Sequence, residues 1–456
     1  MYNIINKLRK KQNINFLKKH PSFCILPFAH LQMHVSNYNR NDSDPQPARC
    51  SALCCSAPDP VEVTQQLDLN NLIKHSAFKS DRDMFYANKL PVQCEYVCSL
   101  DYKKDTKRNM VNEMYIDTIS YKKVFKKPEL RVIDYGFGNE CNLACRMCSA
   151  GNSDQIAVLA SKAVSSSDNT RKLIKFGINN LDPTISDGQQ IENLKNGVFL
   201  RKGISSDIAA VKKALPKLKE LQFAGGEPFV SKDVEDILLA AIETGDNKHI
   251  DLEITTNGTK FVEEKLDIFL QFKKIKFIIS MDGVGSTYDY IRYPFSFSLI
   301  EKRLQGIVDY IIKNNLEKKI EIDFACVGIL YNLYDYQQLY TFLNSIFNKI
   351  TDRPVNLVMI ETIFGTHDQA HALSWNNIPN DLLNDALLSY NEQENYLIPD
   401  KWYQQFKQYV NNRTQDAKVE GMIFAKEYTL LLDELHGRIY QDHLHPKLSK
   451  YIDSIK

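Results

Sequence analysis

The sequence predicts an α/β protein built around a parallel β-sheet. Between residues 130 and 360, short runs rich in Val, Ile, Leu and Phe alternate with longer segments of helical periodicity. This alternation is typical of strands joined by helical crossovers, which give parallel pairing. Glycine and polar residues follow several runs, as expected where strands end in turns. The 456 residues suffice for two or three domains, and 43% hydrophobic and 25% charged residues are ordinary for a globular protein.

Six strands are expected, with helices between most of them. The expected strands are Leu130–Tyr135, Lys219–Phe223, Ile250–Thr255, Lys276–Ser280, Lys319–Val327 and Val355–Ile360. Helical spacing covers Asp233–Thr244, Val262–Phe272, Leu299–Lys313 and Leu333–Asn348. The segment Asn152–Leu215 is too long for one helix and predicts a helical insertion after the first strand. The final stretch, Ile363–Lys456, is helical in pattern and contains no motif that indicates a function.

Charge and hydropathy argue against two classes of partner. The net charge of +1 gives no dominant field for nucleic acid or a membrane surface. No apolar run approaches the ~20 residues that span a bilayer. The basic segment Met1–His20 lacks a continuous apolar stretch, so it predicts an amphipathic surface helix rather than a signal peptide. Ten cysteines then indicate metal or redox chemistry in a reducing compartment, and we expect a cytoplasmic location.

Three cysteines lie close together directly after the first expected strand. Cys141, Cys145 and Cys148 have the spacing C-x3-C-x2-C. A [4Fe–4S] cluster is held by thiolates, and three thiolates from one loop leave its fourth iron open to a chelating molecule. Zinc prefers four ligands, usually in two pairs, and no His is near this segment. The spacing therefore predicts an iron–sulfur loop.

With this spacing, the loop resembles the signature of the radical S-adenosylmethionine (SAM) superfamily. The resemblance implies that the open iron binds the amino and carboxylate groups of SAM. It implies that an external one-electron donor, such as flavodoxin or ferredoxin, reduces the cluster. SAM is then cleaved to methionine and a 5′-deoxyadenosyl radical, which abstracts hydrogen from a substrate. The implied core is a partial (β/α)6 barrel over residues 129–362, with the insertion at about 152–215 and a helical region, 363–456, that closes its open side.

Residues at the expected strand ends match family positions around SAM. The resemblance assigns cofactor contacts to Met147, Gly225, Gly226, Glu227, Pro228, Asn257, Ser280, Asp282, Arg292 and Val327. The segment 225–228 resembles the GGE motif that binds the SAM amino group, although taken alone it could be a plain turn. Asn257, Ser280 and Asp282 could each be a helix cap or turn residue instead. Arg292 suits a carboxylate, with a surface arginine as the alternative, and Val327 could equally be a core residue.

Six of the ten cysteines fall within the first hundred residues, a density that favours a second metal centre. Four thiolates also suit zinc. The pattern resembles the twitch domain, a shortened relative of the SPASM domain that holds an auxiliary iron–sulfur cluster, and we place it at residues 1–128. The expected ligands are Cys24, Cys54, Cys94 and Cys98, with Cys55 as the substitute for Cys54. The role of Cys50 stays open, and His30 and His34 are expected on a β-hairpin face rather than at the metal.

Together these observations predict a radical SAM enzyme that acts on a peptide or protein side chain, because relatives with auxiliary clusters often modify peptides. Oxidation of a small molecule such as an aminosugar is the alternative within the same family. Two other classes remain open. A non-catalytic iron–sulfur electron carrier would not need the strand-end residues, and a zinc-stabilised binding protein would be colourless. No membrane and no specific nucleic-acid partner is indicated.

Overall fold

The structure is a computed structural model. It describes residues 2–34, 37–38, 48–51, 61–63, 68–94, 98, 107–164, 166–181, 185–203, 205–351, 355–360, 372–391, 400–413 and 415–456. The strands are β1 His30–His34, β2 Asn37–Tyr38, β3 Ala48–Ser51, β4 Val61–Val63, β5 Val132–Gly136, β6 Arg201–Lys202, β7 Glu220–Ala224, β8 Asp251–Thr256, β9 Lys274–Ser280, β10 Ile320–Val327 and β11 Leu357–Ile360.

Helices account for most of the remaining described chain. Those before the second core strand are α1 Tyr2–Lys19, α2 Leu26–Ala29, α3 Leu69–Leu72, α4 Lys79–Tyr86, α5 Lys107–Met114, α6 Tyr121–Lys126, α7 Asp154–Ala163, α8 Ser167–Lys175, α9 Asp187–Lys195 and α10 Ser205–Ala214. Those after it are α11 Lys232–Thr244, α12 Glu263–Phe269, α13 Gly285–Ile291, α14 Phe297–Lys313, α15 Tyr336–Phe347, α16 Asn380–Asn391, α17 Asp400–Asn412, α18 Val419–His436 and α19 Pro446–Ser454.

The main sheet of the described chain has the strand order β11-β10-β9-β8-β7-β5-β1-β3-β4. Its core consists of β5, β7, β8, β9, β10 and β11, which pair in parallel in chain order. These are the six strands that the sequence predicts, and their bounds differ from the expected ones by at most two residues. The mixed α/β class and the six-strand parallel sheet are thus confirmed, while closure into a partial barrel stays a prediction.

The N-terminal segment joins this same sheet, which the sequence did not indicate. Strand β1 pairs in parallel with β5, from His30 opposite Val132 to His34 opposite Gly136. On its other side β1 pairs antiparallel with β3, which in turn pairs antiparallel with β4. His34 lies opposite Arg49 in the antiparallel pairing of β1 with β3, whereas His30 lies opposite Val132 in the parallel pairing of β1 with β5. The C-terminal end of β1 also lies at the edge where the parallel core strands end.

Helices cover one face of the sheet. Their apolar residues recur at helical spacing and so form a stripe that packs against the strands. In α11 the buried side chains include Val234, Ile237, Leu238 and Ala241, which form a single stripe. Gly245 ends this helix in the left-handed conformation, with φ of 77°. The strand residues beneath are apolar and buried, for example Leu252 and Ile254.

The opposite face of the sheet is polar. On this face one row of polar side chains crosses six strands as successive register partners: Gln32, Asp134, Gln222, Glu253, Lys276 and Glu321. A parallel sheet covered by apolar layers on both sides would show near-continuous hydrophobic strands instead. All six side chains are half-buried. This face therefore borders a polar space with restricted access to water.

Burial on the polar face changes the acidity of its carboxyl groups. It raises the pKa of Asp134 to about 6. Burial, followed by the negative charge of Glu253, raises the pKa of Glu220 to about 7. The Tyr115 hydroxyl donates to Glu220 at 3.2 Å and accepts from the Gln222 amide at 3.1 Å. The segment after α5 thus covers part of this face.

Within the described ranges, the region 152–215 contains α7 to α10 and the short strand β6, and the region 363–456 contains α16 to α19. They pack on each other through Phe176, whose ring centroid lies 4.8 Å from that of Phe424 and 5.3 Å from that of Tyr428 in α18. Among the helices of the described chain, none combines the length and apolar character required to cross a membrane.

Candidate metal and cofactor site

The three-cysteine loop connects β5 to α7, and the start of α7 fixes its backbone. The Cys141 amide donates to Asp154 Oδ1 at 2.8 Å. The Ser153 hydroxyl donates to the Leu143 carbonyl at 2.6 Å and caps α7 by accepting from the Gln155 and Ile156 amides. The loop therefore folds back against the N-terminus of the helix that follows it.

The three thiols lie near one another, with Cys145 the most buried at 5% exposed. A hydrogen bond with Cys148, followed by burial, raises the pKa of the Cys145 thiol well above its ordinary value. Burial and the neighbouring Cys145 raise the pKa of Cys141 to about 12. Within the described ranges, however, no three His, Cys, Asp or Glu side chains form a group able to hold a metal ion. The three thiols are therefore near one another but do not form a site for a single metal ion, whereas a [4Fe–4S] cluster would place each thiolate on a different iron.

Gly225 and Gly226 lie directly against the start of the cysteine loop. The Gly226 amide donates to the Gly138 carbonyl at 3.0 Å, and the Glu227 amide donates to the Glu140 carbonyl at 2.8 Å. A Cβ on Gly226 would lie 2.0 Å from the Glu140 carbonyl oxygen, and Gly225 has φ of +145°. The two glycines are therefore needed for the close approach of two backbone segments.

The Glu227 carboxylate is fully buried and bonded to neighbouring protein groups. Its Oε1 accepts from the Thr256 hydroxyl at 2.7 Å and the Phe229 amide at 3.2 Å, and its Oε2 accepts from the Asn257 amide at 2.7 Å. Burial raises the pKa of Glu227 to about 7, although these donors oppose the rise. Since this carboxylate has no exposed surface, the 225–228 segment can present only backbone groups to a bound molecule.

Asn257, at the end of β8, contacts the cysteine loop. Its Nδ2 donates to Asn142 Oδ1 at 3.0 Å and lies 3.9 Å from Cys141 Sγ. Its Oδ1 accepts from the amide and hydroxyl of Thr259 at 2.9 and 2.6 Å. The strand-end asparagine thus lies beside the first cysteine.

Asp282 and Arg292 form a buried ion pair after β9. Arg292 Nη2 lies 2.5 Å from Asp282 Oδ2, and its Nε donates to the same oxygen at 2.7 Å. Asp282 Oδ1 accepts from the Val327 amide at 2.8 Å. Burial opposes the charge on Arg292, but Asp282 and Cys145 offset this and raise its pKa above the ordinary value. The pair therefore lies within electrostatic range of the cysteine loop.

The other expected SAM contacts lie near these groups with less specific surroundings. Pro228 is buried, whereas Met147, Ser280 and Val327 are half-buried.

Asn139 was not predicted, although it lies in the loop that precedes the cysteines. It is fully buried. Its Nδ2 donates to the Ala150 and Phe199 carbonyls at 2.7 and 2.9 Å, and its Oδ1 accepts from the Arg201 amide at 2.7 Å. The Asn139 side chain thus fixes the backbone of these neighbouring segments. Its position directly after Gly138 was the signal in the sequence that could have indicated such a role.

Three of the N-terminal cysteines share one hydrophobic cluster. Cys24 and Cys94 are buried within it and Cys98 packs against it, with the Cys98 amide donating to the Cys94 carbonyl at 2.9 Å. Cys54 and Cys55 lie outside the described residues.

Comparison with known proteins gives low similarity. No protein-family model matches the chain, and no curated protein matches it. A structure of SuiB from Streptococcus suis bound to S-adenosylmethionine aligns with 15% identity and a TM-score of 0.31, over 74% of this chain and 66% of that one. SuiB bound to its precursor peptide SuiA aligns with 14% identity and a TM-score of 0.31, over 80% and 71%. The chain thus spans slightly less than two thirds of the first of these, and TM-scores at this level assign neither a fold nor a function.

Proposed function

We propose that this protein is a radical SAM enzyme that abstracts hydrogen from a peptide or protein side chain. The observation that supports this most is the convergence of strand-end groups on the three-cysteine loop. Asn257 lies against Cys141, and the Asp282–Arg292 pair lies within electrostatic range of Cys145. An electron carrier or a zinc-binding module has no need for polar strand-end residues in this arrangement.

In this proposal Cys141, Cys145 and Cys148 hold a [4Fe–4S] cluster, and SAM lies across the C-terminal ends of the core strands. When reduced by an external donor such as flavodoxin or ferredoxin, the cluster supplies the electron that cleaves SAM into methionine and a 5′-deoxyadenosyl radical. The chain's own residues bind and orient SAM. Backbone carbonyls of the 225–228 segment accept from its amino group, since Glu227 itself is occupied.

Arg292 is the candidate partner for the SAM carboxylate. Its Nε and one Nη already contact Asp282, so binding would use the remaining donors of the guanidinium. Asp282 keeps the arginine charged and oriented. Asn257 and Ser280 would form polar contacts with the ribose, and Met147 and Val327 would pack against the adenine.

We further propose an auxiliary cluster on Cys24, Cys94 and Cys98 with Cys54 or Cys55, in a twitch-like segment at 1–128. Its support is that Cys24, Cys94 and Cys98 share one hydrophobic cluster. The thiols require a reducing compartment, which we take to be the cytoplasm. The core at 129–362 would form the partial barrel, and 363–456 the region that covers its open side.

The deciding experiment measures 5′-deoxyadenosine formed by anaerobically reconstituted protein with dithionite and SAM. We expect product from the wild type and none from Cys145→Ala. Cys326→Ala is the matched control, because Cys326 is also a buried thiol but lies in β10, outside the loop. It should retain iron and activity.

Two results would contradict the proposal. A colourless protein that contains zinc and no iron would indicate a zinc-stabilised binding protein. An intact cluster that forms no 5′-deoxyadenosine would indicate an electron carrier.

The substrate class is tested separately by co-expression with any short peptide encoded beside the gene. A change in peptide mass with the wild type, absent with Cys145→Ala, supports the peptide substrate. An unmodified peptide beside an enzyme that cleaves SAM favours a small molecule such as an aminosugar.

A further inference from the structure

Arg146 lies between two cysteines of the loop, yet its side chain contacts the C-terminal region. Its guanidinium carbon lies 3.5 Å from the centroid of the Tyr290 ring, and its Nε donates to the Tyr290 carbonyl at 2.8 Å. Its Nη2 lies 2.8 Å from Asp433 Oδ1 in α18. This contact is an ion pair by distance, although its angles are not those of a hydrogen bond. The Arg146 side chain is fully buried, so its charge depends on such a partner.

The same helix also contacts the loop backbone on both sides of Cys145. The Tyr428 hydroxyl donates to the Arg146 carbonyl at 2.5 Å, and His436 Nε2 lies 2.9 Å from the Ala144 carbonyl oxygen. The amides of the same two loop residues donate to the last residue of α13 and to the segment after it. Ala144 donates to the Tyr293 carbonyl at 2.7 Å, and Arg146 donates to the Ile291 carbonyl at 3.0 Å. The backbone flanking Cys145 is therefore fixed from two directions.

Asp433 is itself held in place by further donors. Its Oδ1 accepts from the Tyr290 hydroxyl at 2.7 Å, and its Oδ2 accepts from the Tyr440 amide at 2.9 Å. Helix α18 is also tied to the insertion, since Glu427 forms an ion pair with Lys175 at the end of α8. The position of the central cysteine thus depends on elements almost 300 residues away in the sequence.

We propose that Asp433 and Tyr428 are positioning residues, which hold the Ala144–Arg146 backbone so that Cys145 faces its two partner cysteines. The C-terminal helix is then a structural part of the cluster site and more than a cover for the barrel. This inference rests on the proposed function of the loop as the ligand of a cluster. Neither residue contacts a thiol directly in these interactions, so both act through the loop backbone and Arg146.

The experiment compares wild type, Asp433→Asn and Tyr428→Phe as full chains. Before reconstitution, mass spectrometry follows alkylation of Cys145 by iodoacetamide. After anaerobic reconstitution, iron per chain and the electron paramagnetic resonance spectrum of the reduced cluster are recorded. We expect several-fold faster alkylation, less iron and a shifted spectrum in both variants. Asp433→Asn loses the ion pair with Arg146, and Tyr428→Phe loses the hydrogen bond to the Arg146 carbonyl. Tyr428→Phe retains the ring and removes only the hydroxyl.

Two controls separate positioning from general stability. Glu434→Gln changes a neighbouring exposed carboxylate of α18 and should match the wild type in all three measurements. Asp433→Glu keeps the carboxylate and should restore most of the protection lost in Asp433→Asn. Circular dichroism at the assay temperature verifies that each variant is folded.

The inference is overturned if folded Asp433→Asn and Tyr428→Phe both match the wild type in alkylation rate and spectrum. That result leaves the proposed function intact if the wild type binds iron and cleaves SAM. Conversely, a wild type that binds no iron refutes the proposed function, while the alkylation rates still report whether α18 orders the loop.

Discussion

At residue 226, two residues after the end of β7, the backbone has no room for a side chain. The Glu140 carbonyl oxygen occupies the place where a Cβ would lie, at 2.0 Å. Both contacting segments are backbone, so an added side chain at residue 226 could avoid the clash only if the cysteine loop itself moved. The motif that matches a SAM-binding signature thus has a structural requirement in addition to its proposed role in binding.

Gly226→Ala is expected to displace the cysteine loop and to lower the free energy of unfolding by about 1–3 kcal/mol, the usual cost of overpacking. Urea denaturation measures the stability, and iron per chain after reconstitution measures the effect on the loop. Gly188→Ala, in α9, is the control, because its added Cβ would have only Ser186 Oγ nearby, at 3.9 Å. Equal stability and iron content in the two variants would contradict the proposed contact.

Residue types at the site could be predicted from the sequence, but their partners could not. Arg292 was expected to bind a carboxylate, and in the structure it binds that of Asp282, ten residues earlier. Glu227 was expected at the cofactor, yet its carboxylate bonds to Thr256 and Asn257. Spacing indicates which side chains can reach a strand end, whereas pairing is decided by segments that only the fold brings together.

At the scale of elements, the core strands and helices could be predicted because each has a clear local period. The polar face of the sheet was visible in the same strands, where Gln222, Glu253 and Lys276 each separate two apolar residues. Alternation of this kind indicates a strand with one apolar and one polar face. What the sequence could not indicate was that the polar face is desolvated, because this depends on Tyr115 and other residues that cover it.

The desolvated polar face predicts a pH-dependent stability. The pKa of Glu220 is raised from its ordinary 4.5 to about 7, so the folded chain retains a proton that the unfolded chain releases. Stability should therefore fall as pH rises from about 4.5 to about 7 and then level off. Glu220→Gln removes this penalty and keeps an acceptor for Tyr115. We expect the free energy of unfolding of this variant, relative to that of the wild type, to rise by about 1–2 kcal/mol as the pH goes from 5 to 8, allowing for partial solvent screening.

Urea denaturation at several pH values measures this gain. Glu243→Gln, an exposed carboxylate in α11, is the control and should follow the wild-type pH profile. If Glu220→Gln has the same pH dependence as wild type, Glu220 is not desolvated in the folded protein.

For the whole molecule, the pairing of β1 with β5 joins the cysteine-rich N-terminal segment to the core. Five residue pairs connect the two strands. Val132 of β5 belongs to the same hydrophobic cluster as Phe23, Phe28 and Tyr121 of the N-terminal segment. The sequence suggested a separate module at 1–128 because its cysteine pattern resembles the twitch domain. Pairing between distant strands leaves no local signal, so this connection could not be predicted.

This junction predicts that β1 and β5 unfold together. Loss of β1 would expose the edge of β5 and part of a hydrophobic cluster, so opening of either strand should cost the same free energy. Hydrogen exchange at increasing urea should show backbone amides of Leu31–Met33 and Ile133–Tyr135 merging into a single unfolding unit. Amides of the exposed face of α1 provide the fast-exchanging reference. Exchange of β1 at a much lower free energy than β5 would instead indicate an N-terminal module that folds independently of the core.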